Sequence, residues 1–155
     1  MNRNLFITLV VLIAILALGY PRVVRFFKSD NCLDQGGSWN YSSNNCRFSM
    51  GDENLIDGLS EVSWNTISEN PEDFNGDTIL ISGKYTYIFE NVRLSFGSNQ
   101  IWVEGFDYDT IIVANFEERI NGREVQIFGI FNSKDKGHLG QFLGTIEKSL
   151  YVTTK

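Results

Sequence analysis

"NGDTILISGKY", residues 75–85, aligns without gaps on "NGREVQIFGIF", residues 121–131. Identities fall at 75/121, 76/122, 81/127 and 83/129, and an aliphatic residue stands at both 79 and 125. Each copy reads as a turn, a strand, an internal glycine and an aromatic residue. A glycine inside a strand marks a sharp bend or bulge, because bending the strand crowds any side chain there. Two long strands, each coiled at an internal glycine, are what a small closed barrel requires.

The surrounding chain fits a mainly β domain. "TILISGKYTYIF", "VRLSF", "QIWVEGF", "TIIVANF", "EVQIFGIF" and "QFLGTIEKSLYVT" are β-branched and aromatic, with partial alternation and Gly/Asn/Asp punctuation. "EERINGR", residues 117–123, predicts a single helical turn before Asn121-Gly122. Upstream, residues 51–77 hold eight acidic residues and no basic one, with Leu55, Ile56, Leu59, Val62 and Ile67 at roughly helical spacing. One or two short amphipathic helices are expected there. "DFNGD" lacks the alternating ligands and distal Glu of a calcium loop, so the acids read as a solvated face.

The N-terminal part has a different character. "LFITLVVLIAILALGY", residues 5–20, is an unbroken apolar run ended by Pro21. It covers roughly 24 Å as a helix, and extension through Val23 and Val24 with snorkelling Arg22 and Arg25 approaches a bilayer core. One N-terminal transmembrane helix is therefore expected, contacting the membrane through residues 5–24. Ala17-Leu18-Gly19 also has the small-x-small look of a signal cleavage site, which leaves a soluble exported form as the alternative. Tyr20-Pro21 and the basic collar "RVVRFFK" favour a retained anchor.

Beyond the collar lie the only two cysteines, Cys32 and Cys46, in a stretch rich in Gly, Asn and Ser. Such a pair reads as a disulfide in an oxidising compartment, which puts the C-terminal part on the exported side of the segment. Closing that loop is worth about 3 kcal/mol on the chain-entropy model. Residues 1–28 carry four basic residues and no acid, whereas the remainder carries nine basic against nineteen acidic ones. An acidic exported part disfavours nucleic acid, whose binding rests on Lys and Arg at phosphates. The expected organisation is an anchor and collar over 1–28, a disulfide loop over 29–50 and a β domain over 51–155.

"NPEDFNGDTILISGKY" resembles the opening of bacterial OB-fold modules, N-P-x-x-Y/F-x-G-x-x-V-x-V-x-G, through Asn70, Pro71, Phe74, Gly76, Ile79, Ile81 and Gly83. The copy around Gly122 and Gly129 resembles the fourth strand of that fold. Residues 129–152 resemble the C-terminal hairpin of small bacterial proteins ending G-x-F…G-H-x-G-x-F-x-G-x-I, so the likeness covers about residues 69–153. The segment C-L-D-x-G-G-x-W…C over 32–46 resembles one that follows the membrane anchor of small bacterial envelope proteins. The resemblance implies a five-stranded Greek-key barrel of the kind that binds oligonucleotides or oligosaccharides on one face. The fold alone does not fix the function.

Candidate ligand-binding residues are His138, Tyr85, Tyr87 and Trp102: one histidine among glycines and three aromatics able to stack on sugars or bases. His138 equally reads as part of a turn into the last strand, since Gly137, Gly140 and Gly144 permit positive φ. No G-x-S-x-G elbow, H-E-x-x-H motif or cysteine cluster accompanies it, so neither a catalytic set, a metal site nor a cofactor is expected. The expected function is a non-catalytic binding module for an envelope protein or glycan, in the inner membrane with its C-terminal domain in the periplasm. The alternatives are an immunity-type or structural envelope protein using the acidic surface, and an envelope hydrolase built on His138. An alkaline phosphatase fusion after residue 50 is expected to be active; a stable but inactive fusion would reverse the topology.

Overall fold

The computed structural model describes the backbone of residues 3–88, 91–106 and 110–155, with side chains except those of 3–12, 14–16 and 110–112. The chain divides into two compact units, Met1–Arg47 and Phe48–Lys155.

In the first unit α1 (Arg3–Asp34) runs through Pro21 and the collar, so the proline does not end the helix. Proline removes one helical hydrogen bond and crowds the preceding turn. There the Leu18 carbonyl accepts a bond from Arg22 Nη1 at 3.1 Å. Among the described residues no helix is long and apolar enough to cross a membrane. Most of the apolar run behind the membrane expectation, 5–12 and 14–16, lies outside the described side chains. Cys32 sits in the last turns of α1 and is disulfide-bonded to Cys46, as the cysteine pair predicts. β1 (Ser38–Asn40) and β2 (Asn45–Arg47) form a hairpin in which Trp39 stands opposite Cys46. Its turn is held by Asn40 Oδ1, which accepts from the Ser42 and Ser43 amides at 2.9 and 3.2 Å.

The second unit is mainly β. β3 (Ser49–Gly51) lies beside β8 (Thr145–Thr154). β4 (Thr78–Ile88) pairs antiparallel with β5 (Asn91–Phe96), and β5 with β6 (Asn99–Val103). β6 runs parallel to β8; β8 pairs antiparallel with β7 (Glu124–Asn132), and β7 with β4. The hydrogen-bonded order therefore returns to its first strand. Inward residues of these strands form the core: Ile79, Ile81, Leu94, Ile101, Val103, Val125, Ile127 and Ile146 are at most 2% exposed. Full burial of each such side chain is worth about 1.5–3 kcal/mol. On the other face of β4, β7 and β8, Leu80, Phe128 and Tyr151 make a smaller cluster against Ile56 and Leu150.

The acidic segment forms short helices, as expected: a 3₁₀ turn at Glu53–Ile56, α2 (Trp64–Glu69) and a 3₁₀ turn at Pro71–Phe74. Ser63 caps α2, its hydroxyl accepting from the Thr66 amide at 3.1 Å. One expected strand is absent. Residues 110–116 begin α3 (Thr110–Ile120), which continues through the predicted helical turn. The β-branched run at 111–113 reads as strand by propensity, yet Val113, Phe116, Glu117 and Ile120 keep helical spacing on one covered face. The propensity cost of β-branched residues in a helix is only tenths of a kcal/mol each, so packing of that face decides. The last strand also starts later than expected, at Thr145, which leaves Phe142 and Gly144 in the preceding loop.

The two sequence copies are antiparallel partners. Ile81 pairs with its own equivalent Ile127, Gly83 faces Val125 and Gly129 faces Ile79, so the pairing has a local two-fold through 81/127. Both ends of the ladder close alike. The Gly76 amide donates to Phe131 O and the Gly122 amide to Tyr85 O, at 2.8 and 2.9 Å. Phe131 N donates to Asp77 O and Tyr85 N to Arg123 O, both at 2.9 Å. Asn75 Oδ1 accepts from the Ser133 amide at 3.2 Å, and Asn121 Oδ1 from the Tyr87 amide at 3.0 Å.

The internal glycines are sites of close approach. A Cβ at Gly83 would stand 2.8 Å from Ser95 O; one at Gly129 would stand 2.5 Å from Lys148 O and 2.7 Å from Ile146 Cγ2. The β7–β8 register shifts beside Gly129. Gly129→Ala is therefore expected to lower stability by about 2 kcal/mol through overpacking, read as a lower urea midpoint with unchanged slope. An unchanged midpoint would show that β7 and β8 can separate at no cost.

Candidate functional site

The candidate site lies where the loop between β7 and β8, residues 133–144, meets β6. Local sequence fixes this loop. Asn132 Oδ1 accepts from the Lys134 and Asp135 amides at 2.8 and 3.2 Å, and Asp135 Oδ1 accepts from Gly137 N at 2.9 Å. Such side-chain turns are what Asn and Asp supply. Ser133, fully buried, donates to Glu72 Oε2 at 2.7 Å. Leu143 N donates to Gln100 O at 2.9 Å and Trp102 N to Gly144 O at 3.0 Å, stitching the loop's return to β6. Lys136 Nζ donates to Leu143 O at 2.7 Å across the loop.

Gly137 lets the loop lie on the indole of Trp102. Its φ is +61°, and a Cβ there would come within 2.6 Å of Trp102 Cβ and Cγ. His138 follows in a single 3₁₀ turn and stacks on Trp102, with ring centroids 6.3 Å apart and planes at 29°. Phe142, buried, meets the same indole edge-on at 5.2 Å. Arg93 of β5 is the cross-strand partner of Trp102. At the loop tip, Leu139 is 75% exposed and adopts φ +63°, a conformation uncommon for a residue with a side chain. A half-exposed indole, an exposed imidazole and a half-exposed guanidinium thus share one outer surface.

Of the residues singled out from sequence, His138 and Trp102 come together; Tyr85 and Tyr87 do not join them. Tyr85 points inward on β4, is fully buried, and donates its hydroxyl to Glu117 Oε1 at 2.7 Å. Its ring packs among Phe106 and, through it, Phe116, so it is core and not a stacking platform. Tyr87, half-buried, stands opposite Val92 near the end of β4. Sequence reasoning passed over Arg93, Phe142 and Glu117. Arg93 sits in a strand with no motif around it. Glu117 was legible only once 110–120 is read as a helix, where it falls on the apolar stripe.

Desolvation pushes Glu117 above the usual carboxyl range, only partly offset by the bond from Tyr85, while burial and the adjacent carboxylate push the Tyr85 phenol up. Glu61 goes the other way. Burial would raise it, but Lys155 at 2.7 Å and Gln126 at 2.6 Å hold it below its ordinary value. The acidic segment is thus partly spent on local structure, since Asp52 also caps its 3₁₀ turn and Glu72 takes the Ser133 hydroxyl. Among the described residues no group of three His, Cys, Asp or Glu side chains is placed to hold a metal ion. No protein-family model matches the chain, and no curated protein matches it.

A carboxyl whose folded pKa is raised stabilises the fold fully below its unfolded value, about 4.3, and loses that contribution as pH rises through the folded value. Glu117→Gln keeps an acceptor for Tyr85 and removes the charge. The variant is expected to be the more stable protein at pH 7, with the difference vanishing toward pH 4. Urea midpoints from pH 4 to 8 measure this, and a wild type more stable than the variant at pH 7 would refute it.

Proposed function

We propose that this chain is a non-catalytic binding module held at the outer side of a bacterial inner membrane by its N-terminal helix. Its second unit is read as an OB-like barrel. Support comes from the closed order β4-β5-β6-β8-β7, the helix α3 between the third and fourth strands of that ring, and the parallel pairing of its third and fifth strands. In OB folds the second and third strands, with the first–second and fourth–fifth loops, form the ligand face. Those elements correspond here to β5, β6 and residues 133–144.

The observation that carries the reading is the half-buried Trp102, packed under Gly137 with His138 and Arg93 beside it. The part of the indole that the loop leaves uncovered can pack against a sugar ring, while the guanidinium offers donors to its hydroxyl or carboxylate groups. The ligand class proposed is therefore an envelope glycan, preferentially one bearing carboxylates. Reading the domain as an immunity-type or structural protein would put the function on residues 51–77 instead.

Titration of the ¹⁵N-labelled protein with soluble uronate-containing oligosaccharides, and with neutral ones of equal length, tests this. Shifts centred on Trp102, Arg93 and residues 137–142 are expected, with affinity about tenfold lower in Arg93→Gln and in Trp102→Ala. That factor corresponds to about 1.4 kcal/mol. Shifts confined to residues 51–77 on adding a basic protein, with none from either sugar, would replace this function with the acidic-surface one.

A further inference from the structure

The first unit contains a cleft that the proposed glycan face does not use. It lies between α1 and the β1–β2 hairpin, with a volume of about 660 Å³. Leu18, Arg22, Arg25 and Lys28 line it from the helix, Trp39 and Asn44 from the hairpin. The spacing 18, 22, 25, 28 and 32 places these helical residues and Cys32 along one face, and the disulfide to Cys46 holds the hairpin there. Trp39, opposite Cys46, is thereby held beside the helix.

Two features of the cleft bear on what it could hold. The Trp39 indole N–H is buried, and among the described residues it meets no acceptor. Buried indole donors ordinarily find a partner, so this N–H is one that a small rearrangement or a water could still satisfy. The residues that line the cleft include three cations and no acid. Three cationic side chains beside Leu18, Val24 and the Trp39 ring suit a tetrahedral oxyanion attached to something hydrophobic.

We propose that this cleft binds the phosphate of an anionic phospholipid head group beside the Trp39 indole, with Arg22, Arg25 and Lys28 supplying the counter-charge. The lipid source follows from position: the cleft begins at Ala17 and Leu18, at the end of the apolar run 5–20, so a phosphate bound there leaves its acyl chains alongside that run. Basic residues at this level attract anionic lipid by about 1 kcal/mol each. The choice of a lipid over free phosphate rests on the membrane reading; the phosphate chemistry does not.

The test follows the indole ¹⁵N–¹H resonance of Trp39, assigned with Trp39→Phe, in the full-length oxidised protein in neutral detergent. Short-chain phosphatidylglycerol, short-chain phosphatidylcholine and inorganic phosphate are titrated separately. A saturable shift with phosphatidylglycerol, weaker by about fivefold in Arg25→Gln and again in Lys28→Gln, is expected. Circular dichroism and complete protection of both thiols confirm that each variant is folded. An equal response to inorganic phosphate keeps the oxyanion site but overturns the lipid assignment. A response to phosphatidylcholine equal to that of phosphatidylglycerol overturns the role of the cations, and no response overturns the site. Flotation with neutral vesicles, run alongside, reports membrane insertion independently, so loss of the anchor reading and loss of the site are separate results.

Discussion

The pairing of β4 with β7 is the constraint on which the rest of the second unit depends. Its two strands carry the same short pattern, and because they run antiparallel the pattern meets itself at Ile81 and Ile127. Each Asn-Gly pair then performs the same task at opposite ends. Glycine at φ +87° or +78° turns the chain so that its amide reaches the aromatic residue's carbonyl, and asparagine receives the amide two residues further on. Four backbone and two side-chain bonds at the ends leave little freedom of register. A slip of one residue would send Ile79, Ile81, Val125 and Ile127 out of the core.

Symmetry at this ladder explains why glycine stands at 83 and 129. Each strand of the pair needs a second neighbour, β5 for β4 and β8 for β7, and each neighbour's backbone approaches at the glycine too closely for a Cβ. Closing the ring then requires β8 to reach β6. That junction is short, two register pairs at Trp102–Val103, and the end of the loop 133–144 extends it through Leu143 and Gly144. The loop's position over Trp102 is thus a consequence of ring closure. The arrangement of indole, imidazole and guanidinium proposed as the ligand face follows from the same event, not from any local motif.

The first unit reaches order by another route. A three-residue-per-strand hairpin is too small to be stable alone. Its disulfide to α1 supplies the missing constraint, and brings Trp39 against a helix face whose charges are all positive. Covalent linkage fixes the hairpin to the helix beside the charged cleft, whereas the second unit has an extensive core of its own.

Much of this was readable from residues alone. Five strands, the acidic segment's short helices and the cysteine pairing all follow from period, turn chemistry and spacing, which act over a few neighbours and leave direct marks in the sequence. Helix α3 was misread over 110–116, because β-branched side chains favour strands locally while the decisive term was burial of Val113, Phe116, Glu117 and Ile120 against distant elements. Pro21 ends the apolar run without ending the helix, which continues through it to Asp34. Tyr85 looked like Trp102 in sequence, but the pleat turned one inward to Glu117 and left the other under Gly137. Steric preferences of neighbouring residues wrote the elements into the sequence. Which faces lost their water, and hence which side chains remained to meet a ligand, was decided only when strands far apart in the chain came together.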